Sequence, residues 1–355
     1  MILFAAGDVG GARALLPVAA ECERRGLSFA ILNHGYIVNE LPDHWSVLSL
    51  PFGFPDNTAM AWLTTLDLTG LVFGSSVHDT VPLTLARQIK EMGLLVVHVL
   101  DNWSNYRHRL EHDGLPMLVP DRYTVMDQLA WEAAVVDGVP AEIIMITGQP
   151  ALASLVGECS GSLPKSQTQG PIKLLFVSEP VEADQGSGPA SPKFRGYTEK
   201  TVLRLLCQSL QPYADQVTLS ILPHPREDRQ ALAGLWDEIK LDLAGMIVAE
   251  TNGRQQVLAV DGVIGMASIL LYEAWLVGKP VLSLQPGVSD RSLRMLAQRP
   301  GVCFVDTQEK IVDLFAPWLK IVSQGGCRPQ PDLASHQKAA ARIVSLLEKS
   351  GAGTR

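Results

Sequence analysis

The sequence predicts a two-domain α/β protein built on parallel sheets, and three observations lead there. The chain has 355 residues, more than one hydrophobic core usually organises. Short apolar runs alternate with longer amphipathic stretches, the order expected of right-handed strand–helix–strand units. That alternation stops in a low-complexity stretch at residues 157–171 and then starts again. An apolar content of 47% against 19% charged residues provides core for both halves and excludes a disordered chain.

In the first half, residues 2–6 read as a buried strand and 12–25 as the helix after it, ended by Gly26. Strands follow at 27–33, 71–73 and 94–100, with a helix at 80–92 between the last two. Tyr123 and Val125, then residues 143–146, complete this half. Residues 157–171 (GECSGSLPKSQTQGP) have no periodicity and form the best linker candidate. The second half has strands at 173–177, 217–222, 246–248, 262–265 and 280–284. Helices are expected at 198–210, 268–277 and 334–347. A loop at 183–196, just after the first strand of this half, has the length of functional or mobile loops. The expected divisions are a first domain over 1–157, a second over 171–330, and a C-terminal helix and tail over 331–355. Open parallel sheets bind ligands beyond the carboxyl ends of their strands. The expected architecture is two Rossmann-like domains whose parallel sheets face a central cleft.

Composition narrows the function. A formal net charge of −8, from 29 Lys and Arg against 37 Asp and Glu, argues against a nucleic-acid partner. Cys22, Cys159, Cys207, Cys303 and Cys327 are scattered and form no CxxC pair. Neither a disulfide framework nor a metal site is expected, and a reducing, cytoplasmic setting is the simpler reading. The opening MILFAA lacks a basic region ahead of it and runs straight into a Gly-rich turn, so it reads as a strand and not a signal peptide. No run reaches the roughly 18 to 20 apolar residues of a membrane helix. Peripheral contact with a membrane surface stays open.

Several strand ends carry residues suited to chemistry. The turn Ala6-Gly7-Asp8-Val9-Gly10-Gly11 leaves backbone N–H groups bare. Its spacing is neither the dinucleotide fingerprint nor a Walker loop, and Asp8 disfavours a phosphate seated directly on it. Asp8 and Arg13 are acceptor-side candidates, against a turn that only packs tightly. Asp79 follows the third strand and serves either the site or the helix start beside it. Asp101 ends the fourth strand, where a carboxylate reaches a crevice and can act as general base or charge partner. The alternative is that Asp101 or Asn102 caps the next turn. His98, inside an apolar strand, reads as a buried core histidine.

In the second half, the first strand ends Val177-Ser178-Glu179-Pro180 and a later one ends Leu222-Pro223-His224-Pro225-Arg226-Glu227. Prolines on both sides stiffen His224, and the Arg226 fork suits a diphosphate. Residues 261–284 (DGVIGMASILLYEAWLVGKPVLSL) place Ser268 at a helix start, where N–H groups and the hydroxyl can receive a phosphate. Glu273, a turn and a half later, can accept from ribose hydroxyls. The plainer reading makes Ser268 a cap and Glu273 part of a solvated face.

On these residues the chain resembles the GT-B superfamily of nucleotide-sugar glycosyltransferases and UDP-N-acetylglucosamine 2-epimerases. Ser268, Glu273 and Gly278-Lys279-Pro280-Val281 are similar to the phosphate- and ribose-binding segment of those families. Thr147-Gly148-Gln149-Pro150 looks like the end of their first domain. His224-Pro225 resembles the His-Pro motif of bacterial sialyl-, polysialyl- and glycerophosphate-transferases. Ser178-Glu179-Pro180 departs from the G-H-R-type segment of the epimerases.

The resemblance implies a nucleotide-sugar co-substrate, no further cofactor and no metal. It implies a glycosyltransferase in cell-surface polysaccharide or glycoconjugate synthesis. Ser178, Glu179, His224, Arg226, Ser268 and Glu273 would then hold the donor, with Asp8, Asp79 and Asp101 toward a hydroxyl-bearing acceptor. The alternatives are an epimerase or hydrolase of the same fold, with Asp101 and Glu179 moving protons, and a non-catalytic binding protein.

Overall fold

The computed structural model describes the chain except for residues 52–53, 55–56, 77–78, 113, 156–169, 250–251, 326–328 and 352–355. The linker candidate at 157–171, save its last two residues, lies outside the described residues, as do His78, Cys159 and Cys327. The chain forms two compact units, Met1–Ser154 with Asp332–Arg355, and Leu155–Pro331.

The first unit opens with β1 (Ile2–Ala5), whose four residues are all buried. Such a strand, apolar on both faces, belongs in the middle of a parallel sheet covered on each side. Next come α1 (Val9–Arg24), β2 (Phe29–Leu32), β3 (Val47–Leu48), α2 (Asn57–Thr65) and β4 (Gly70–Phe73). The unit continues through α3 (Val81–Glu91), β5 (Leu95–Val99), β6 (Arg122–Val125), α4 (Gln128–Val136) and β7 (Ile144–Ile146). The sheet has seven strands in the order β3-β2-β1-β4-β5-β6-β7, and every pairing is parallel. Strand order reverses between β1 and β4, so the loops leaving these two strands diverge and open a crevice.

The second unit repeats the plan. It contains β8 (Ile172–Val177), α5 (Val181–Gln185), α6 (Glu199–Leu210), β9 (Val217–Leu222), α7 (Arg229–Ile239) and β10 (Ala244–Ile247). It then adds α8 (Gly253–Ala259), β11 (Gly262–Gly265), α9 (Ile269–Leu276), β12 (Val281–Leu284), β13 (Cys303–Val305) and α10 (Gln308–Ser323). Its six strands run β10-β9-β8-β11-β12-β13, all parallel, with the reversal between β8 and β11. Among the described residues no helix is long and apolar enough to cross a membrane.

Two expectations need correction. The single terminal helix at 334–347 is two helices, α11 (Asp332–His336) and α12 (Ala339–Gly351), broken where fully buried His336 turns inward. Its Nδ1 accepts the Gln149 N–H at 2.9 Å. The loop at 183–196 begins inside α5 and is irregular only after Gln185. Cys22 and Cys207 are buried free thiols, and Cys303 is half-buried and free.

The C-terminal segment belongs to the first unit. Ile343, Val344 and Leu347 of α12 share one apolar core with Leu15, Val18 and Cys22 of α1. Arg342 donates to the carbonyls of Thr147 and Ser335 at 2.9 and 3.0 Å. Gly148 has φ +90°, and a Cβ there would stand 2.9 Å from the Ser335 oxygen, so the approach requires glycine. Ile343 is fully buried. Ile343→Ala is expected to cost about 2–5 kcal/mol through lost transfer energy and a residual cavity, read as a lower urea midpoint.

Candidate functional site

In the first unit, three carboxylates gather at the ends of β1, β4 and β5. Asp8 leaves β1 and caps α1, its side chain accepting the Gly11 N–H at 2.8 Å. Asp79 leads into α3, accepts the Val81 N–H at 3.1 Å and pairs with His34 Nε2 at 2.9 Å. Asp101 follows β5 and pairs with Arg109 at 2.6 Å, both side chains about nine-tenths buried. The glycine turn makes room for this cluster. A Cβ on Gly7 would lie 1.5 Å from an Asp79 oxygen, and one on Gly10 would lie 2.1 Å from an Asp101 oxygen. A side chain at either position would have to push aside the carboxylate that occupies its space.

Arg109 anchors the Asp101 side of the cluster. It donates to the Ser75 carbonyl at 2.7 Å and the Ser104 carbonyl at 3.2 Å while facing Asp101. Asn105, in the left-handed region at φ +57°, turns the chain so that Arg109 comes back beneath the strand ends. Gln149, from the segment after β7, donates to the Asp101 carbonyl at 2.8 Å. His98 is the core histidine that its apolar strand suggests. It is fully buried, lies flat on Tyr123 at 4.7 Å and meets the Ser75 hydroxyl at 2.9 Å. Burial first, and the Arg109 charge second, hold its proton affinity well below the usual histidine range.

The cap reading and the site reading divide among these residues. Asp8 is a cap. Asp101 is not, since Asn102 accepts the Trp103 N–H while Asp101 faces Arg109. Arg13 pairs at the surface with Glu40 at 3.6 Å. Asp8 is the group best placed to carry a proton. Burial raises its proton affinity, the Asp101 charge raises it further, and the Gly11 N–H and Arg109 act in the opposite sense.

The second unit places N–H groups where the first places carboxylates. The turn between β11 and α9 is fixed from behind. Ser283 and fully buried Gln285 both donate to the Met266 carbonyl, at 2.6 and 2.9 Å. Ser268 caps α9, its hydroxyl accepting the Leu270 N–H at 3.3 Å. Glu179, leaving β8, reaches across the reversal and accepts the Ala267 N–H at 2.8 Å. The N–H groups of Ser268 and Met266 also face this carboxylate. Burial pushes Glu179 up to about 7, against the pull of these N–H groups.

The remaining predicted residues have internal partners. Arg226 forks onto Asp184 with two contacts of 2.7 Å, and both side chains are exposed. His224 Nδ1 accepts the Arg226 N–H at 3.1 Å, and burial, then the Arg226 charge, lowers its proton affinity. Ser178 donates to Glu227 at 2.6 Å, and the other Glu227 oxygen accepts the His224 N–H. Glu273 is not on a solvated face: it is 5% exposed and accepts from Arg254 Nη2 and Nε, at 2.8 and 3.0 Å. Lys279 Nζ donates to the carbonyls of Leu258 and Val260, which closes the end of α8.

Sequence reasoning missed Arg109, His34 and Gln149 in the first unit, and Asp184, Glu227 and Arg254 in the second. Glu227 was legible, three residues beyond His224 on the same stiff loop. Arg254 was not, because 19 residues separate it from Glu273. Among the described residues, no group of three or more His, Cys, Asp or Glu is placed to hold a metal ion.

The Glu179 environment has a consequence for stability. Its affinity is raised from the ordinary 4.5 to about 7, so the folded chain keeps a proton that the unfolded chain releases between those values. Stability contributed by the protonated form is therefore lost as pH rises through that window. The melting temperature of Glu179→Gln relative to the unsubstituted protein is expected to rise between pH 5 and pH 8, measured by scanning calorimetry.

No protein-family model and no curated protein matches the sequence. Solved structures match in fold over almost the whole chain. The UDP-GlcNAc 2-epimerase of Methanocaldococcus jannaschii, in complex with UDP-GlcNAc and UDP, is 13% identical, with a TM-score of 0.65 over 98% of this chain and 99% of that chain. The Neisseria meningitidis UDP-GlcNAc 2-epimerase bound to UDP-GlcNAc is 11% identical, with a TM-score of 0.63 over the same shares, 98% and 99%. Anabaena HepE in complex with UDP is 14% identical, with a TM-score of 0.57 over 99% of this chain and 98% of that chain. The two UDP-GlcNAc 2-epimerases share their fold with nucleotide-sugar glycosyltransferases, and the chain has that fold, GT-B.

Proposed function

We propose that this chain is a nucleotide-sugar enzyme that converts the nucleotide sugar itself, by epimerisation or hydrolysis. The observation that carries this reading is the carboxyl pair Asp8 and Asp101 at the strand ends of the first unit. One has its proton affinity raised by burial, and the other stands in an ion pair with Arg109. Inverting a carbon centre needs one group to accept a proton and another to return one, and two neighbouring carboxyls in unlike surroundings are suited to divide those tasks. The whole-chain likeness to UDP-GlcNAc 2-epimerases supports the same reading and makes a UDP-sugar the first ligand to try. Asp8 takes the role first expected of Glu179, whose carboxylate is engaged at the start of α9.

The second unit would bind the nucleotide. The turn at Met266–Ser268 offers N–H groups to a phosphate. Arg226 can add its fork, because an exposed pair such as Arg226–Asp184 is worth only about 0–1 kcal/mol and exchanges readily. Residues Ser178 and His224 stand on the same strand ends, held by Glu227. Asp79 with His34 would position the sugar. Free thiols fit a cytoplasmic place of work.

The second reading is glycosyl transfer to a hydroxyl-bearing acceptor. It is favoured by Ser178-Glu179-Pro180, which stands where epimerases carry a G-H-R-type segment, and by His224-Pro225.

Proton NMR of the protein with UDP-GlcNAc alone separates the two. Formation of an epimer or of free UDP without any acceptor is expected. Consumption only after a sugar acceptor is added would mean transfer. Asp8→Asn is expected to lower the rate on UDP-GlcNAc about 10²–10⁴-fold with binding retained, the range for a lost proton-transfer group. An unchanged rate would remove Asp8 from the chemistry.

A further inference from the structure

Asp101 is held by an arginine that is itself held, and the groups that hold it form a buried chain. Ser75, two residues beyond β4, grips Arg109 at both ends. Its hydroxyl donates to the Arg109 carbonyl at 2.7 Å, and its own carbonyl accepts from Arg109 Nη1 at 2.7 Å. The same Nη1 stands 2.6 Å from Asp101. Behind Ser75 lies His98 of β5, whose Nε2 is 2.9 Å from the Ser75 hydroxyl oxygen. Ser75, His98 and Arg109 are each more than nine-tenths buried, so bulk water cannot replace these contacts.

The chain has one direction. A carbonyl only accepts, so the single Ser75 hydroxyl proton is committed to Arg109. The Ser75 oxygen can then only accept from His98, which fixes the imidazole proton on Nε2. Nδ1 agrees with this: it is buried with no partner among the described residues, and a bare lone pair is tolerated there better than a stranded N–H. The ring is clamped, since Tyr123 stacks on it at 4.7 Å and Phe73 stands across it at 4.9 Å. Packing alone would need no directed proton. Here the proton's path ends on the arginine that faces a carboxylate.

We propose that His98 and Ser75 are positioning residues for Asp101, acting through Arg109. They set how closely the guanidinium meets the carboxylate, and with it the carboxylate's aim and charge. The inference rests on the reading that Asp101 serves the conversion of a nucleotide sugar.

The charged and titratable groups acting around Asp101 are Arg109, Asp8 from the turn after β1, and Tyr123 from β6. Asp79 acts in turn on Asp8. Tyr123 stays protonated because burial pushes it up, and His98 stays neutral because burial, then the Arg109 charge, holds it down. Loosening Arg109 therefore takes positive charge away from Asp101 and Asp8, and both carboxyls should bind a proton more tightly.

The test compares two replacements of similar length. Gln puts an amide N–H where His98 carries its Nε2–H, whereas Met fills similar space with no donor. With UDP-GlcNAc as substrate, His98→Gln should keep a kcat close to that of wild type. His98→Met and Ser75→Ala should lose about 10²-fold in kcat with KM nearly unchanged, the scale for a reacting group misplaced by about 1 Å. The acid limb of the kcat profile should move to higher pH in those two variants and not in His98→Gln. Equal kcat and equal pH profiles in His98→Gln and His98→Met would overturn the inference and leave the reading standing. Nitrogen-15 NMR of the wild type decides independently, even where a variant does not fold. It should show His98 protonated on Nε2 and neutral from pH 5 to pH 8. A proton on Nδ1, or an imidazole that charges within that range, would overturn the inference alone. No conversion of UDP-GlcNAc by the wild type would remove the reading, and this inference with it.

Discussion

Parallel pairing is the constraint on which the rest of this structure depends. When every strand in a sheet runs the same way, every strand ends on the same edge, and whatever follows those strands is gathered there. In each unit the order reverses once, between β1 and β4 and between β8 and β11, and the diverging loops leave backbone groups uncovered. The two units fill that edge with opposite chemistry. The first gathers three carboxylates, one of them paired with buried Arg109, whereas the second sets N–H groups around the half-buried carboxylate of Glu179. The same topology thus gathers carboxylates on one edge and backbone N–H groups on the other.

Burial decides which of the second unit's contacts can change. The Arg226–Asp184 pair is exposed on both sides, so little is lost when either partner turns to a ligand. Arg254–Glu273 differs, because Glu273 is nearly inaccessible and breaking a buried pair costs about 3–5 kcal/mol. A ribose approaching Glu273 would meet a carboxylate already forked by arginine. It would have to share the lone pairs that remain and could not replace Arg254. The buried pair is therefore fixed framework, and the exposed one is free to exchange partners.

Much of the fold was legible in the sequence because its signals are local. Residues 217–222 and 262–265 read as strands directly from runs bounded by turn residues, and Gly26 and Gly278 mark helix ends with positive φ. Two-residue β3 and three-residue β13 were invisible, since such short strands carry no periodicity. The candidate site was legible by place and not by partnership. Asp8, Asp79, Asp101, Ser178, Glu179, His224 and Ser268 all lie at strand ends, which their spacing from apolar runs foretells. What each one touches depends on residues brought back by folding, such as Arg109 under Asp101 and Arg254 against Glu273. Glu179 shows the gap most sharply. From sequence it is an acid after a strand, and only the fold reveals that it lies on the start of a helix 90 residues further on.

The return of the C-terminal segment to the first unit has a consequence for biosynthesis. Ile343, Val344 and Leu347 complete the core that covers α1, yet they are made after the whole of the second unit. A nascent chain emerging from the ribosome would carry an N-terminal sheet with one helix face still bare, while residues 155–331 already hold everything they need to close. Domains usually mature in the order they are synthesised. Here the later-made unit can finish first, and the earlier one must keep Leu15 and Val18 shielded until its last helix arrives.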